Sequence, residues 1–302
     1  MAATEPVFAA PVAAPAPAVA VTERAVAAAQ GAFLGAGVSL RREHVADAFV
    51  APESVDLVEI VADHYFARDR RTRDALRALS ERFTVVPHGL DLSLGSADGI
   101  ERGYLDRLSA VIGAVRAPYW SEHVAFTRAG GRRIGHLAPL PFTYEALDAL
   151  CANVARVGAV VGSPLILENI ACSFDIPYGE MSEAQFLAGL VERSGCGLLL
   201  DVANFYYNAL NRKLDPFALL AEFPLHAVVQ CHLAGGHRAH GEWIDSHAFP
   251  VPEAVWQLFE EVARRAPLRA AIVERDENLP PFAELADEAA RARAILRPRV
   301  AA

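Results

Sequence analysis

The chain has 302 residues, 53% of them hydrophobic and 22% charged, with a formal net charge of −9. That length supports one large core, and no stretch approaches the roughly 20 apolar residues that a helix needs to cross a bilayer. The acidic balance disfavours a nucleic-acid backbone as partner, because the basic clusters at 68–73 and 132–133 fall in helical or loop segments where solvated charge is the ordinary reading.

The first residues, MAATEPVF, lack the basic patch and compact apolar stretch of a secretory signal, so a cytoplasmic protein is expected. Residues 1–30 are dominated by Ala, Val and Pro, and Pro6, Pro11, Pro15 and Pro17 prevent a continuous helix. They read as a flexible extension, leaving 31–302 as a single domain. From residue 31 onward, short runs rich in Val, Ile and Leu alternate with longer stretches of helical spacing, which is how repeated βα units look in sequence. The spacing predicts strands at 34–39, 55–61, 83–88, 119–124, 164–169, 197–202, 227–232 and 270–274, with helices between them at 72–82, 103–115, 143–161, 182–194 and 252–265. Cap signals support several of these helices: Thr143 followed by Glu145, Ser182 before Glu183, and Pro252 at a first helical position. Eight βα units predict an α/β fold of the (β/α)8 TIM-barrel type.

Seven of the eight predicted strands carry an acid or histidine near the C-terminal end: Glu59, His88, His123, Glu168, Asp201, His232 and Glu274. In a barrel those ends converge on one mouth. A single buried histidine is ordinarily a hydrogen-bonded core residue, and a single strand-end acid often caps the next helix, but that reading weakens when repeated around one ring. After the seventh strand, Ile244-Asp245-Ser246-His247 would, if extended, aim Asp245 and His247 the same way. Glu168, Asp201, Asp245 and Glu274 gathered at one mouth would repel, and their pKa values would rise unless cations sat among them. Bound metal is the simplest remedy, and imidazole with carboxylate suits zinc, manganese or iron. His44, His136, His226, His237 and His240 read as structural or exposed, and Cys151, Cys172, Cys196 and Cys231, with no C-x-x-C pair, as small buried hydrophobes.

Several stretches, taken in order, carry a family resemblance: Pro87-His88-Gly89 with Leu92-Ser93-Leu94-Gly95-Ser96, Trp120-Ser121-Glu122-His123, Leu167-Glu168-Asn169, Leu199-Leu200-Asp201-Val202-Ala203-Asn204, Cys231-His232-Leu233-Ala234-Gly235, Ile244-Asp245-Ser246-His247 and Glu274-Arg275-Asp276. This set resembles the multinuclear non-heme iron-dependent oxidative enzymes. The resemblance implies a barrel holding two or three irons, ferrous and ferric together, that uses dioxygen to oxidise residues, typically cysteines, in a ribosomally made precursor peptide. It further implies a separate protein that recognises the peptide leader. Carried across motif by motif, the metal ligands are His88, His123, Glu168, Asp201, His232, Asp245, His247 and Glu274, with Asn204 as a ninth contact. Glu59, Asp63 and His64 are the candidates for a proton relay or an added contact.

Two departures from the family pattern stand out. The usual His-Pro-Glu-Asn-Tyr stretch reads Val61-Ala62-Asp63-His64-Tyr65, and Ala203 replaces an asparagine beside Asp201. The arrangement also resembles the trinuclear zinc apurinic endonucleases and the xylose isomerases. A zinc or manganese hydrolase or isomerase is therefore the alternative, followed by a non-enzymatic metal-binding scaffold.

Overall fold

The computed structural model describes residues 27–174 and 176–296. Most of the extension expected at 1–30 lies outside the described residues. Its last residues rest against the foot of the barrel, where Ala28 is buried and Arg269 donates to the carbonyls of Ala28 and Ala32.

The strands in chain order are β1 (Gly35–Ser39), β2 (Leu57–Val61), β3 (Thr84–His88), β4 (Trp120–His123), β5 (Ala125–Ala129), β6 (Arg132–Pro139), β7 (Leu165–Glu168), β8 (Gly197–Asp201), β9 (Val228–Leu233), β10 (Gly235–Ala239), β11 (Glu242–Phe249) and β12 (Ala270–Val273). Eight of them close into a parallel barrel in the order β1-β2-β3-β4-β7-β8-β9-β12. All eight predicted strands are present, each matching its observed bounds to within two residues. The reason is burial on both faces: runs such as Leu57–Val61 and Val228–Leu233 are wholly buried, so they read as continuous apolar segments interrupted only where chemistry requires it. The remaining four strands form antiparallel hairpins, β5-β6 and β10-β11, inserted after β4 and β9. The sequence reading did not separate these hairpins from the loops.

The helices are α1 (Val45–Val50), α2 (Arg70–Arg82), α3 (Arg102–Val115), α4 (Tyr144–Gly158), α5 (Glu183–Ser194), α6 (Val202–Asn211), α7 (Pro216–Glu222), α8 (Glu253–Arg265) and α9 (Phe282–Leu296). Thr143 caps α4 through the Ala146 amide, as its spacing suggested. Ser182 forms a full capping box on α5, with Gln185 rather than Glu183 as the reciprocal partner, because only the third helical position reaches back to the cap amide. Pro252 is the N-cap of α8, in extended conformation, one position earlier than expected. Among the described residues, no helix is long and apolar enough to cross a membrane.

Candidate metal centre

The strand-end side chains converge as the barrel rule requires. Their donor atoms fall into adjoining groups, each within 4.8 Å: His88 with His123 and Glu168, then Glu168 with Asp201, His232 and Glu274, then Asp201 with Asp245 and His247. Glu168 belongs to the first two groups and Asp201 to the last two, so each is placed to bridge. In the first, the Nε2 atoms of His88 and His123 lie 3.5 and 3.3 Å from Glu168 Oε2. In the second, His232 Nδ1 lies 2.9 Å from Glu168 Oε1 and 3.1 Å from Glu274 Oε2. In the third, His247 Nε2 lies 2.8 Å from Asp245 Oδ2 and 3.3 Å from Asp201 Oδ2. A further grouping of His247 and Glu274 with Asp276 adds a carboxylate that the sequence-based ligand set omitted.

Three of the four imidazoles are held from behind. His88 Nδ1 meets the Ser121 hydroxyl at 2.8 Å and His123 Nδ1 meets Glu122 Oε1 at 3.2 Å, so two other residues of the Trp120–His123 strand orient the histidines. His232 turns Nε2 inward to Glu59, 2.9 Å away, and Gln230 donates to the same carboxylate while accepting from the Tyr119 hydroxyl. Asn169 exchanges hydrogen bonds with the Asp201 backbone. Asp201 Oδ1 caps α6 through the Asn204 amide, which leaves Oδ2 facing the mouth.

The donor set passes a simple test for cations. Glu168 Oε2, Asp201 Oδ2, Asp245 Oδ1, Asn204 Oδ1 and both ring nitrogens of His247 are buried without a hydrogen-bond partner. Buried polar atoms left unpaired are costly, and several of them aimed at common points are what metal ligation resolves. His247 also adopts a left-handed backbone, φ 48°, so alternation along an extended strand does not explain its aim. It reaches the site through a kink in β11 of the kind tolerated at functional positions.

The electrostatics only partly match the expected rise in carboxylate pKa. Burial pushes Glu168 up, and burial carries Asp245 up to about 6 against the pull of His247. Glu274 goes the other way: His232, His247 and Arg41 outweigh its burial and hold it well below the usual carboxylate range. Burial opposes the charged form of His232 and His247, yet the surrounding carboxylates raise both well above the ordinary imidazole value. His88 is depressed well below it by burial and by His123 and His232.

Arg41, just past the end of β1, was missed from the sequence because only acids and histidines were sought at strand ends. It donates to Glu274 Oε1 at 2.8 Å and pairs with Asp276, so the eighth strand end supplies the compensating cation.

A cavity of about 640 Å³ opens over the cluster. His64 and Asn204 line it, as does His136 from β6, which the sequence reading had set aside as structural or exposed. Val61 also lines it, giving apolar surface where the family pattern offers an imidazole. Asp63 is engaged elsewhere, accepting from the Tyr104 hydroxyl at 2.7 Å and the Leu90 amide at 3.2 Å. Glu59 is fully buried beneath His232 rather than at the mouth. Cys196 and Cys231 are buried as expected, whereas Cys151 and Cys172 are half-buried, Cys172 lining a second cavity.

Residues 35–297 match the family of RiPP precursor modification enzymes MbnB/TglH/ChrH. The chain belongs to that family. A UPF0276 protein of Rhizorhabdus wittichii is 43% identical over 83% of this chain and 91% of its own length. Another, of Streptomyces avermitilis, is 42% identical over 84% of this chain, the match spanning 53% of that longer relative. A solved D-tagatose 3-epimerase-like protein superposes with a TM-score of 0.57 at 16% identity, covering 88% of this chain and all of that one. At such low identity the likeness shows the barrel fold alone. For a MbnB/TglH/ChrH member, a precursor peptide is the substrate that the family description implies, and the cavity over the strand ends is where the chain gathers its reactive groups.

Proposed function

We propose that this family member is a multinuclear iron, dioxygen-dependent oxidase that modifies cysteine residues of a ribosomally synthesised precursor peptide. The observation that carries the reading is the pair of shared carboxylates: Glu168 and Asp201 join three adjoining donor groups into one cluster. The ligands assigned are His88, His123 and Glu168; Glu168, Asp201, His232 and Glu274; and Asp201, Asp245 and His247. Three or four protein donors per ion leave positions for substrate and co-substrate, unlike a closed structural site. The nitrogen and oxygen donors suit iron, zinc and manganese alike, and the implied family chemistry selects iron.

Iron bound here would supply dioxygen activation and a binding position for the substrate thiolate. The chain's own residues do the rest. Glu59 and Gln230 fix the tautomer of His232, leaving Nδ1 for the metal side. Ser121 and Glu122 orient His88 and His123 in the same way. His64 lines the cavity wall, and we assign it proton exchange with the bound peptide, while Asn204 offers its amide oxygen. On the same family resemblance, leader recognition is assigned to a separate partner protein and the reaction to the cytoplasm.

The test is anaerobic purification, a count of iron per chain, and oxygen uptake with a cysteine-bearing precursor peptide sought among small open reading frames beside the gene, followed by mass spectrometry of that peptide. Two or three irons, with oxygen consumed and the peptide mass shifted, is the expected result. Background iron with zinc filling the cluster, and activity independent of dioxygen, would reject the proposal in favour of a zinc hydrolase or isomerase.

A further inference from the structure

A second cavity, of about 430 Å³, adjoins the one over the metal cluster. The partition between them is the chain just beyond β7: Ile170 lines both cavities, Ala171 the metal side and Cys172 the far side. Asn208 pins that partition, donating to the Ile170 carbonyl and accepting from the Cys172 amide at 2.9 and 2.7 Å. The two cavities also share a wall in α6. Asn204 faces the metal side, while Asn208, four residues on along the same helix face, and Arg212 at the C-cap line the second cavity.

The far end of that stripe is charged, with Arg212 beside Glu183 at 3.6 Å, and the remaining lining is mostly apolar, including Leu140, Ala184, Leu187 and Leu214. The opening is apolar on its outside as well. Leu214, part of the lining, is 48% exposed, and the segment between β7 and α5 that contributes Cys172, Ile176 and Gly179 to the lining also exposes Phe174 and Tyr178. A mostly apolar cavity with an exposed apolar side chain in its lining has the character of a side-chain binding pocket.

We infer that this second cavity is a side-chain slot for the precursor peptide, taking an apolar residue a few positions from the cysteine that is modified. The inference rests on the proposed function, since the slot's position beside the metal cavity, across the Ile170–Cys172 partition, is what assigns it to that peptide. Asn204 to Arg212 is eight helical steps, roughly 12 Å, which matches three or four residues of extended peptide.

Calorimetry on the iron-loaded full chain, under anaerobic conditions, tests the slot. The probes are two synthetic series, acetyl-Xaa-Gly-Gly-Cys-Gly-amide and acetyl-Gly-Cys-Gly-Gly-Xaa-amide, with Xaa as Gly, Leu, Phe or Glu. In one series Leu or Phe should bind at least tenfold more tightly than Gly, with Glu no better than Gly. Ala184→Trp, which fills the slot, and Leu214→Glu, which charges its opening, should each remove that preference while leaving iron content and the Gly-peptide affinity unchanged. Equal binding of Leu and Gly peptides in both series, or a preference that survives both variants, overturns the slot. Repeating the series with Ser in place of Cys separates the two readings. An apolar preference kept at unchanged affinity supports the slot and counts against cysteine as the target, whereas dependence on Cys without an apolar preference overturns the slot alone.

Discussion

Glu168 and Asp201 each serve two donor groups, whereas Asp245 serves one, and that difference gives the residue-level account its sharpest consequence. Glu168→Gln should lower metal content by two ions per chain and Asp245→Asn by no more than one, read by elemental analysis of the purified variants; equal losses would contradict the shared-carboxylate arrangement. Glu59 acts one layer further in. Glu59→Gln keeps an acceptor for the His232 Nε2 proton, while Glu59→Ala removes it, so the alanine variant should bind metal about 10–100-fold more weakly and the glutamine variant far less so, measured by competition with a chelator. The raised imidazoles give a pH signature. In the metal-free chain, protonated His232 and His247 contribute stability that is complete below the unfolded imidazole value of roughly 6.5 and is lost as pH rises through their higher folded values. Metal binding displaces those protons, so the Tm of the chelated chain should fall as pH rises above roughly 6.5 while that of the loaded chain holds. Parallel curves for the two forms would count against ligation by these histidines.

At the scale of elements, the β10-β11 hairpin carries Asp245 and His247 into the site, and its attachment depends on a close backbone approach. A Cβ at Gly235 would stand 2.1 Å from the Pro250 carbonyl oxygen and 2.4 Å from that of Phe249. Gly235→Ala must therefore displace the hairpin base, and the expected outcome is loss of the ion held by Asp245 and His247 with the barrel still folded, followed by metal count and circular dichroism; full metal content would show that the hairpin does not position those ligands. The two hairpins, β5-β6 and β10-β11, also mark where the sequence stopped being legible. Strands buried on both faces announce themselves as apolar runs, whereas β6, with Arg132, Arg133, Gly135 and His136 exposed, carries no period-two apolar signal. His247 was correctly aimed for the wrong reason, since its left-handed backbone follows from the tertiary fold and not from local alternation.

Over the whole molecule, the closed eight-stranded barrel is what turns residues spread from His88 to Glu274 into one cluster, and that much could be read from strand spacing alone. Less legible were the groups acting through others. Arg41 and Gln230 belong to no metal-ligand pattern, and only coordinates show one neutralising Glu274 and the other bracing Glu59. Asp63 looked equivalent to His64 in sequence, yet one braces Tyr104 while the other faces the cavity, a distinction set by the 3-10 turn at Ala62–Tyr65. The measurement that bears most directly on the central claim is the metal content of anaerobically purified chain. Two or three irons per chain are predicted, and iron at background level with the donor groups carrying zinc or no metal would contradict it.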